Sequence, residues 1–481
     1  IISQEQALPA LLNCLNSADT HLLGVLGTLA ASLDRDSTVE ALYQAAVDPR
    51  RPRRGRLVAL LILERFLGEE LNEELFEGLE DPRALFSESL LSTVEDAQNT
   101  RLALWDLIHS LAEQPPEVVF SVVETLVQLD TPAVVEPLRV LAQDPRYQVA
   151  RQAIRGLGTL RHPQVIRALQ ILRYVSYPTV RSEVERALRK QRMRGLEIAP
   201  LPRPDGSWRT LVSAVDGQGN QSVWFLDRAS AEGTCHLFVV VINYEAGIID
   251  ALDDERVAVD QLPAPGDEGV VHEYNPGNVG SVRLLEADFE YGRRLISEAQ
   301  GRNARTGTPT PLMYRLLNDG IWGYQFSPEV AQPRMPAGAK AETLERLAES
   351  SQLLDHPGFA SWFVHSPLVY GLAAQWRQRQ HPQRTALWDE AVRQLVERHF
   401  DAQALEAYGA RLQAMAEWLT RAGDEEAASL ALVAAAGLGR VPPVRHPFLV
   451  RMVELGLQIA IRNLERGLDL QAASGLFIAN S

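Results

Sequence analysis

The sequence predicts a mostly α-helical protein: an N-terminal α-solenoid, a central α+β insert with an antiparallel sheet, and a C-terminal helical bundle. Three observations carry this. Apolar residues return every 31 positions between residues 104 and 188, as they do in stacked helix pairs. After a Pro-rich stretch the period drops to two, the mark of strands. The helical period then resumes over residues 336–470. With 481 residues the chain is too long for one core. The expected divisions are helical repeats at 1–195, a linker at 196–205, a strand-rich domain at 206–335 and a helical domain at 336–481.

The repeat is carried by Val118, Val149 and Val180, by Val122, Ala153 and Val184, and by Leu126, Leu157 and Leu188. The partner helix keeps the same step through Leu104, Val135 and Ile166, then Leu107, Leu138 and Leu169. One amphipathic pair cannot hide its stripe from water, so such units come in rows. Upstream, Leu8, Leu11, Leu12 and Leu15, then Leu22, Leu26, Leu29 and Leu33, then Val58, Leu61, Ile62 and Phe66 continue the helical pattern. Arg50, Arg51, Arg53, Arg54 and Arg56 are broken by Pro52 and Gly55 and read as an inter-helix loop. No aromatics interleave them, as a nucleic-acid stacking platform requires.

The segment Asp144-Pro145-Arg146-Tyr147-Gln148-Val149-Ala150-Arg151, followed by Ala153, Ile154, Leu157 and Gly158, resembles the second-helix signature of HEAT-like (armadillo-type) repeats. So does Tyr177-Pro178-Thr179-Val180-Arg181, with Tyr177 where the first copy has Asp144. In that family the Asp-Pro turn opens the second helix and the Val-x-Arg segment begins it. The resemblance covers 116–190 well and 1–115 loosely. It implies an extended surface that in most members binds proteins, in a few nucleic acid, and in some serves the processing of linear tetrapyrroles.

Charge is uneven. Residues 146–194 hold twelve basic side chains and two acidic ones, in a chain whose net charge is −15. This reads either as a solvated helix face or as a binding ridge. In the second reading Arg151, Arg155, Arg167, Arg173, Arg181 and Arg189 are the candidate anion- or partner-binding residues.

The helices end at the Pro-rich stretch Ile198–Gly206. Trp208–Val215 and Gln221–Leu226 read as strands joined by the turn Asp216–Asn220. Gly217 and Gly219 within that turn lack the third glycine and following helix of a dinucleotide loop. Cys235–Ile242 is the most β-rich run and should be a central strand. His236 beside it reads as structural. Residues 245–290 hold twelve acidic side chains against two basic ones. Their order is not that of a calcium loop, so no metal is expected, and the stretch is expected to act as the electrostatic counterpart of the basic repeats. Ser281–Gln300 reads as a returning helix, and Gly301–Pro311 as a loop.

In the last third, Ala341–Leu353 reads as a helix, and Leu387–His399, Leu405–Leu419 and Val450–Leu464 as others. Asp355, His356, Ser361, His365 and Ser366 lie close together, but nearness in sequence does not assemble a nucleophile, base and orienting group. With Phe359, Trp362 and Phe363 the stretch reads as a packed loop.

No zinc, P-loop, nucleophile-elbow or kinase pattern occurs, so no catalytic residue and no cofactor are assigned. Cys14 and Cys235 read as packing residues. No apolar run approaches the roughly 20 residues of a membrane span, no secretory leader pattern opens the chain, and a cytoplasmic protein is expected. The expected function is a non-enzymatic scaffold that binds a protein partner through the solenoid. The alternatives are a nucleic-acid or polyanion binder using residues 146–194, and an enzyme related to the tetrapyrrole-processing repeat proteins. The oligomeric state is left open.

Overall fold

The computed structural model describes residues 4–15, 21–69, 90–97, 101–204, 206–227, 233–275, 281–326, 332–336, 344–379 and 383–468. Its contacts divide the chain into two units, Ile1–Leu172 with Thr179–Ile198, and Arg173–Pro178 with Ala199–Ser481.

The first unit is helical. It opens with α1 (Gln4–Cys14), α2 (His21–Ser32), α3 (Arg35–Val47) and α4 (Arg53–Arg65). Leu11, Leu15, Leu42, Ala46, Ile62 and Leu63 form their core. The arginine cluster read as a loop is overturned here: α4 begins at Arg53, directly behind Pro52. A proline just before a helix supplies a pre-set φ and no orphan N–H. Arg51 donates to the Leu12 carbonyl at 2.7 Å and Arg56 to that of Ala46 at 2.7 Å.

Next come α5 (Arg101–Ala112), α6 (Pro116–Leu129), α7 (Val135–Leu141), α8 (Tyr147–Leu157), α9 (Pro163–Val175) and α10 (Arg181–Met193). They stack in two layers. α6, α8 and α10 pack in sequence as one layer, and α7 pairs with α8 and also packs on α5. The matched residues of the 31-residue step lie in this core. Val149, Ala153, Leu157, Val184, Leu126 and Leu138 are all buried. Leu107 is half-buried, and Val118 is 44% exposed. The buried stripe of α6 runs through Val119, Val122, Val123 and Leu126, and Val118 falls off its edge.

The repeats are joined by side chains that reach back to the preceding unit's free carbonyls. Buried Asp144 accepts from the backbone and side chain of Arg146 at 2.9 and 2.8 Å. Arg146 then donates to the carbonyls of Gln114 and Leu111 at 2.6 and 3.2 Å. Gln191 donates to Leu157 and Leu160, and Arg194 to Gly158 and Thr159. Helix C-termini leave carbonyls without intrahelical partners, and these bonds fill them.

The second unit holds a six-stranded antiparallel sheet of β1 (Trp208–Ser213), β2 (Asn220–Asp227), β3 (Thr234–Asn243), β4 (Gly247–Ala258), β5 (Val271–Tyr274) and β6 (Val282–Ala287). The spatial order is β4-β3-β2-β1-β6-β5. Leu211, Trp224, Val239 and Leu252 face one another across β1 to β4. β3 is internal, with Phe238, Val240 and Ile242 buried. The acidic stretch contributes strands: in β4, Ile248 and Ala251 turn inward while Asp250, Asp254 and Glu255 face out. The helix expected from Ser281 is overturned. Residues 282–287 are β6, paired with β1 through Val212 and Leu285. The helix α11 (Phe289–Thr306) starts only after Asp288, which caps it by accepting from the Tyr291 N–H at 2.7 Å. It also runs through the first half of the expected loop.

The short helices α12 (Leu312–Leu317) and α13 (Asp319–Trp322) follow. Of the helix expected at 341–353, residues 341–343 lie outside the described residues and the rest is instead a 3₁₀ segment, Leu344–Asp355, long for that geometry. The unit closes with α14 (Pro367–Arg377), α15 (Gln383–His399), α16 (Ala402–Arg421), α17 (Glu425–Gly437) and α18 (Pro447–Glu465). Two indole N–H groups, one from α16 and one from the loop before α14, reach the end of β1. Trp418 donates to the Val212 carbonyl at 3.0 Å and Trp362 to that of Val215 at 2.8 Å.

Candidate functional site: a basic helix face and a polar cleft

On the first unit, three arginines converge on one carboxylate. Glu183, on α10, is 7% exposed. Arg186 meets it at 2.8 Å, Arg151 at 3.3 Å and Arg155 at 3.8 Å, the last two from α8. One negative charge cannot balance three positive ones, so the α8–α10 face keeps a positive excess. Arg181 and Arg189 are exposed further along α10. Of the predicted residues, the fold therefore brings Arg151 and Arg155 together. Arg167 lies on α9, outside the α6–α8–α10 layer, and Arg173 falls with the second unit. Arg186 was missed. Its pairing with Glu183, three residues earlier on α10, is a helical-wheel neighbour; what one segment does not show is that α8 brings Arg151 and Arg155 to the same carboxylate. Arg146 and Arg194, part of the same basic run, are committed to carbonyls.

The acidic stretch is engaged largely within the second unit. His236 meets Asp253, Arg411 meets Glu245, and Arg421 meets Asp288 at 3.3 Å. Glu286, in β6 beside β1, is buried. One of its oxygens accepts from Arg209, from the Gly266 N–H at 3.1 Å and from His272 at 3.1 Å. Arg209 also donates to the carbonyls of Pro263 and Ala264, holding the loop after β4 against the sheet.

The second unit also contains a cleft of about 430 Å³. Its first wall is the β1–β2 turn. Asp216 accepts from the N–H groups of Gln218 and Asn220 at 2.9 and 2.7 Å, closing the turn. A Cβ on Gly217 would sit 2.4 Å from the Ser361 carbonyl, so glycine is what lets the turn touch the 361–365 loop. Gly219 has φ +83° and lies against Arg411. The second wall is Glu245 in the β3–β4 turn, whose N–H donates to Asn243 at 2.9 Å. The third is Ser361, Phe363 and His365. The fourth runs from His399 through Asp401, which caps α16 by accepting from Ala404 at 2.8 Å, to Tyr408 and Arg411. Arg411 lies over the Tyr408 ring at 4.6 Å, donates to the Gly217 carbonyl at 2.7 Å and pairs with Glu245. The predicted packing of Phe359, Trp362 and Phe363 is present, all three buried. Ser361 and His365 share the cleft, whereas His356 turns away to Asp424 at 3.3 Å. Among the described residues, no group of three or more His, Cys, Asp or Glu could hold a metal ion.

Three histidines of this unit are held below their ordinary pKa, each chiefly by burial: His356, His399 (with Arg411 adding to the effect) and His446. His446 is fully buried and donates to the Ala434 carbonyl at 3.1 Å. The fold thus favours the neutral ring, and the unfolded chain takes up the extra protons as pH drops. Stability is complete above the ordinary histidine pKa of about 6.5 and declines as pH falls below it. Urea midpoints at descending pH check this, and a midpoint that stays flat from about pH 7 to about pH 5 contradicts it.

The HEAT-repeat family model matches residues 105–189, so the N-terminal part contains a HEAT-like repeat region. The model described as the Y4lR C-terminal helical domain matches residues 325–460. No curated protein and no solved structure matches the chain. HEAT repeats commonly serve as protein-interaction scaffolds. No helix among the described residues is long and apolar enough to cross a membrane.

Proposed function

We propose that this protein is a non-enzymatic scaffold whose repeat region binds an acidic segment of a partner protein along α8 and α10. The observation that carries the reading is the cluster of Arg151, Arg155 and Arg186 on the single buried carboxylate of Glu183. Exposed arginines with one shared counter-ion keep donors for a second carboxylate, and guanidinium groups suit carboxylates geometrically. Arg181 and Arg189 extend the row, each about one turn from Glu185, one on either side of it. The two free thiols suit a reducing, cytoplasmic setting.

The test is affinity purification from the native host with mass spectrometry, comparing the wild type with Arg155→Glu/Arg186→Glu and with Arg167→Glu. A partner with an acidic segment is expected to be lost about tenfold or more with the double variant and retained with Arg167→Glu. Equal retention by all three proteins would refute the assignment of the face. Nuclease-sensitive recovery of nucleic acid by the same residues would replace the protein partner with a polyanion.

A further inference from the structure

We propose that the cleft between the β1–β2 turn and α16 binds a small neutral polyhydroxylated ligand, a mono- or disaccharide. This role is separate from the repeat face. Its size falls within the range of small-molecule sites. Among the described lining residues the one guanidinium, that of Arg411, is already balanced. Arg411 is paired with Glu245 and tied to the Gly217 carbonyl, and Asp401 is engaged at the start of α16. Among the described residues no free cation remains there to select a phosphate or carboxylate, and no group of three or more His, Cys, Asp or Glu could hold a metal ion.

What the cleft does offer is planar groups that both donate and accept. Gln218 and Gln403 face it from opposite walls, both exposed, and each amide carries two donors and an acceptor. The imidazole of His399 is kept neutral by burial and by Arg411, so its ring presents one donor and one acceptor. Adjacent hydroxyls on a sugar ring match this pattern, since each hydroxyl is itself donor and acceptor. Phe363, Ala404 and Ala407 supply an apolar side for the C–H face of the ring. The turn is locked by two glycines that no other residue can replace without a clash, so the wall bearing Gln218 is pre-formed.

The full chain is titrated by calorimetry and ligand-observed NMR with glucose, galactose, mannose, N-acetylglucosamine, maltose and cellobiose. Inorganic phosphate and glycine serve as charged controls. At least one saccharide is expected to bind in the millimolar range or tighter. Gln218→Ala and Gln403→Ala should each weaken it about tenfold, with the thermal midpoint unchanged. Ala407→Phe, which fills the cleft, should abolish it. The proposal is overturned if none of the six saccharides binds, if phosphate or glycine binds in preference, or if the Gln218→Ala/Gln403→Ala double variant binds as tightly as the wild type.

Discussion

Glu286→Ala is expected to lower the unfolding free energy of the second unit by about 3–5 kcal/mol. The residue and its partner Arg209 are both almost wholly buried, at 5% and 7% exposed. Removing the carboxylate leaves a guanidinium in the sheet with carbonyls but no counter-charge. It also strips an acceptor from the Gly266 N–H and from His272. The cost lies in the abandoned charge rather than in the pair itself, because two buried ions gain little over a well-packed apolar pair. Arg209→Met combined with Glu286→Leu should therefore recover most of the loss. Urea unfolding followed by tryptophan fluorescence reads both. A loss under about 1 kcal/mol for the single variant would show the cluster to be solvated.

The second large effect has an unexpected sign. Alanine is normally better than glycine inside a helix by about 1 kcal/mol. At Gly456, within α18, it should instead destabilise by about 3 kcal/mol. A Cβ there would lie 2.1 Å from the Val364 carbonyl oxygen and 3.1 Å from its carbon. These are backbone atoms, and the Val364 N–H is itself held by the Met452 carbonyl at 3.2 Å, so the loop cannot simply step aside. Because that loop carries Phe363 and His365, the cleft should open at the same time. Gly371 in α14 is the control. Nothing lies within 4 Å of its built Cβ, so Gly371→Ala should stabilise by about 0.5–1 kcal/mol. Thermal unfolding of the two variants side by side decides the matter, and stabilisation by both would mean α18 does not approach Val364 this closely.

The repeat region was legible because its signal is redundant. Each of Val149, Ala153 and Leu157 is echoed 31 residues on, and a repeat architecture needs only nearest neighbours to be right. The Asp144-Pro145 turn was legible too, and its role as the holder of Arg146 follows from the bonds it makes. β6 was not. Val282, Leu285 and Phe289 fall at spacings of three and four, which imitates a helix. The contrary signal was Asp288, a side chain suited to opening a helix at Phe289 rather than continuing one from Ser281. The cleft was illegible for a different reason. Gly217 and Arg411 are 194 residues apart and meet only through the tertiary fold. The paired glycines at 217 and 219 mark a turn, but nothing local says what the turn leans on. The same holds for Arg186 and Arg151, which share Glu183 from different repeats.

The proposed role of the α8–α10 face, as a receptor for acidic protein segments, is checked by fluorescence anisotropy with a labelled polyglutamate peptide at stepwise salt. Wild type should bind with an affinity that falls as salt rises, Arg155→Glu/Arg186→Glu should lose binding, and Arg167→Glu should keep it. Equal affinity for the wild type and the double variant at every salt concentration would contradict the claim.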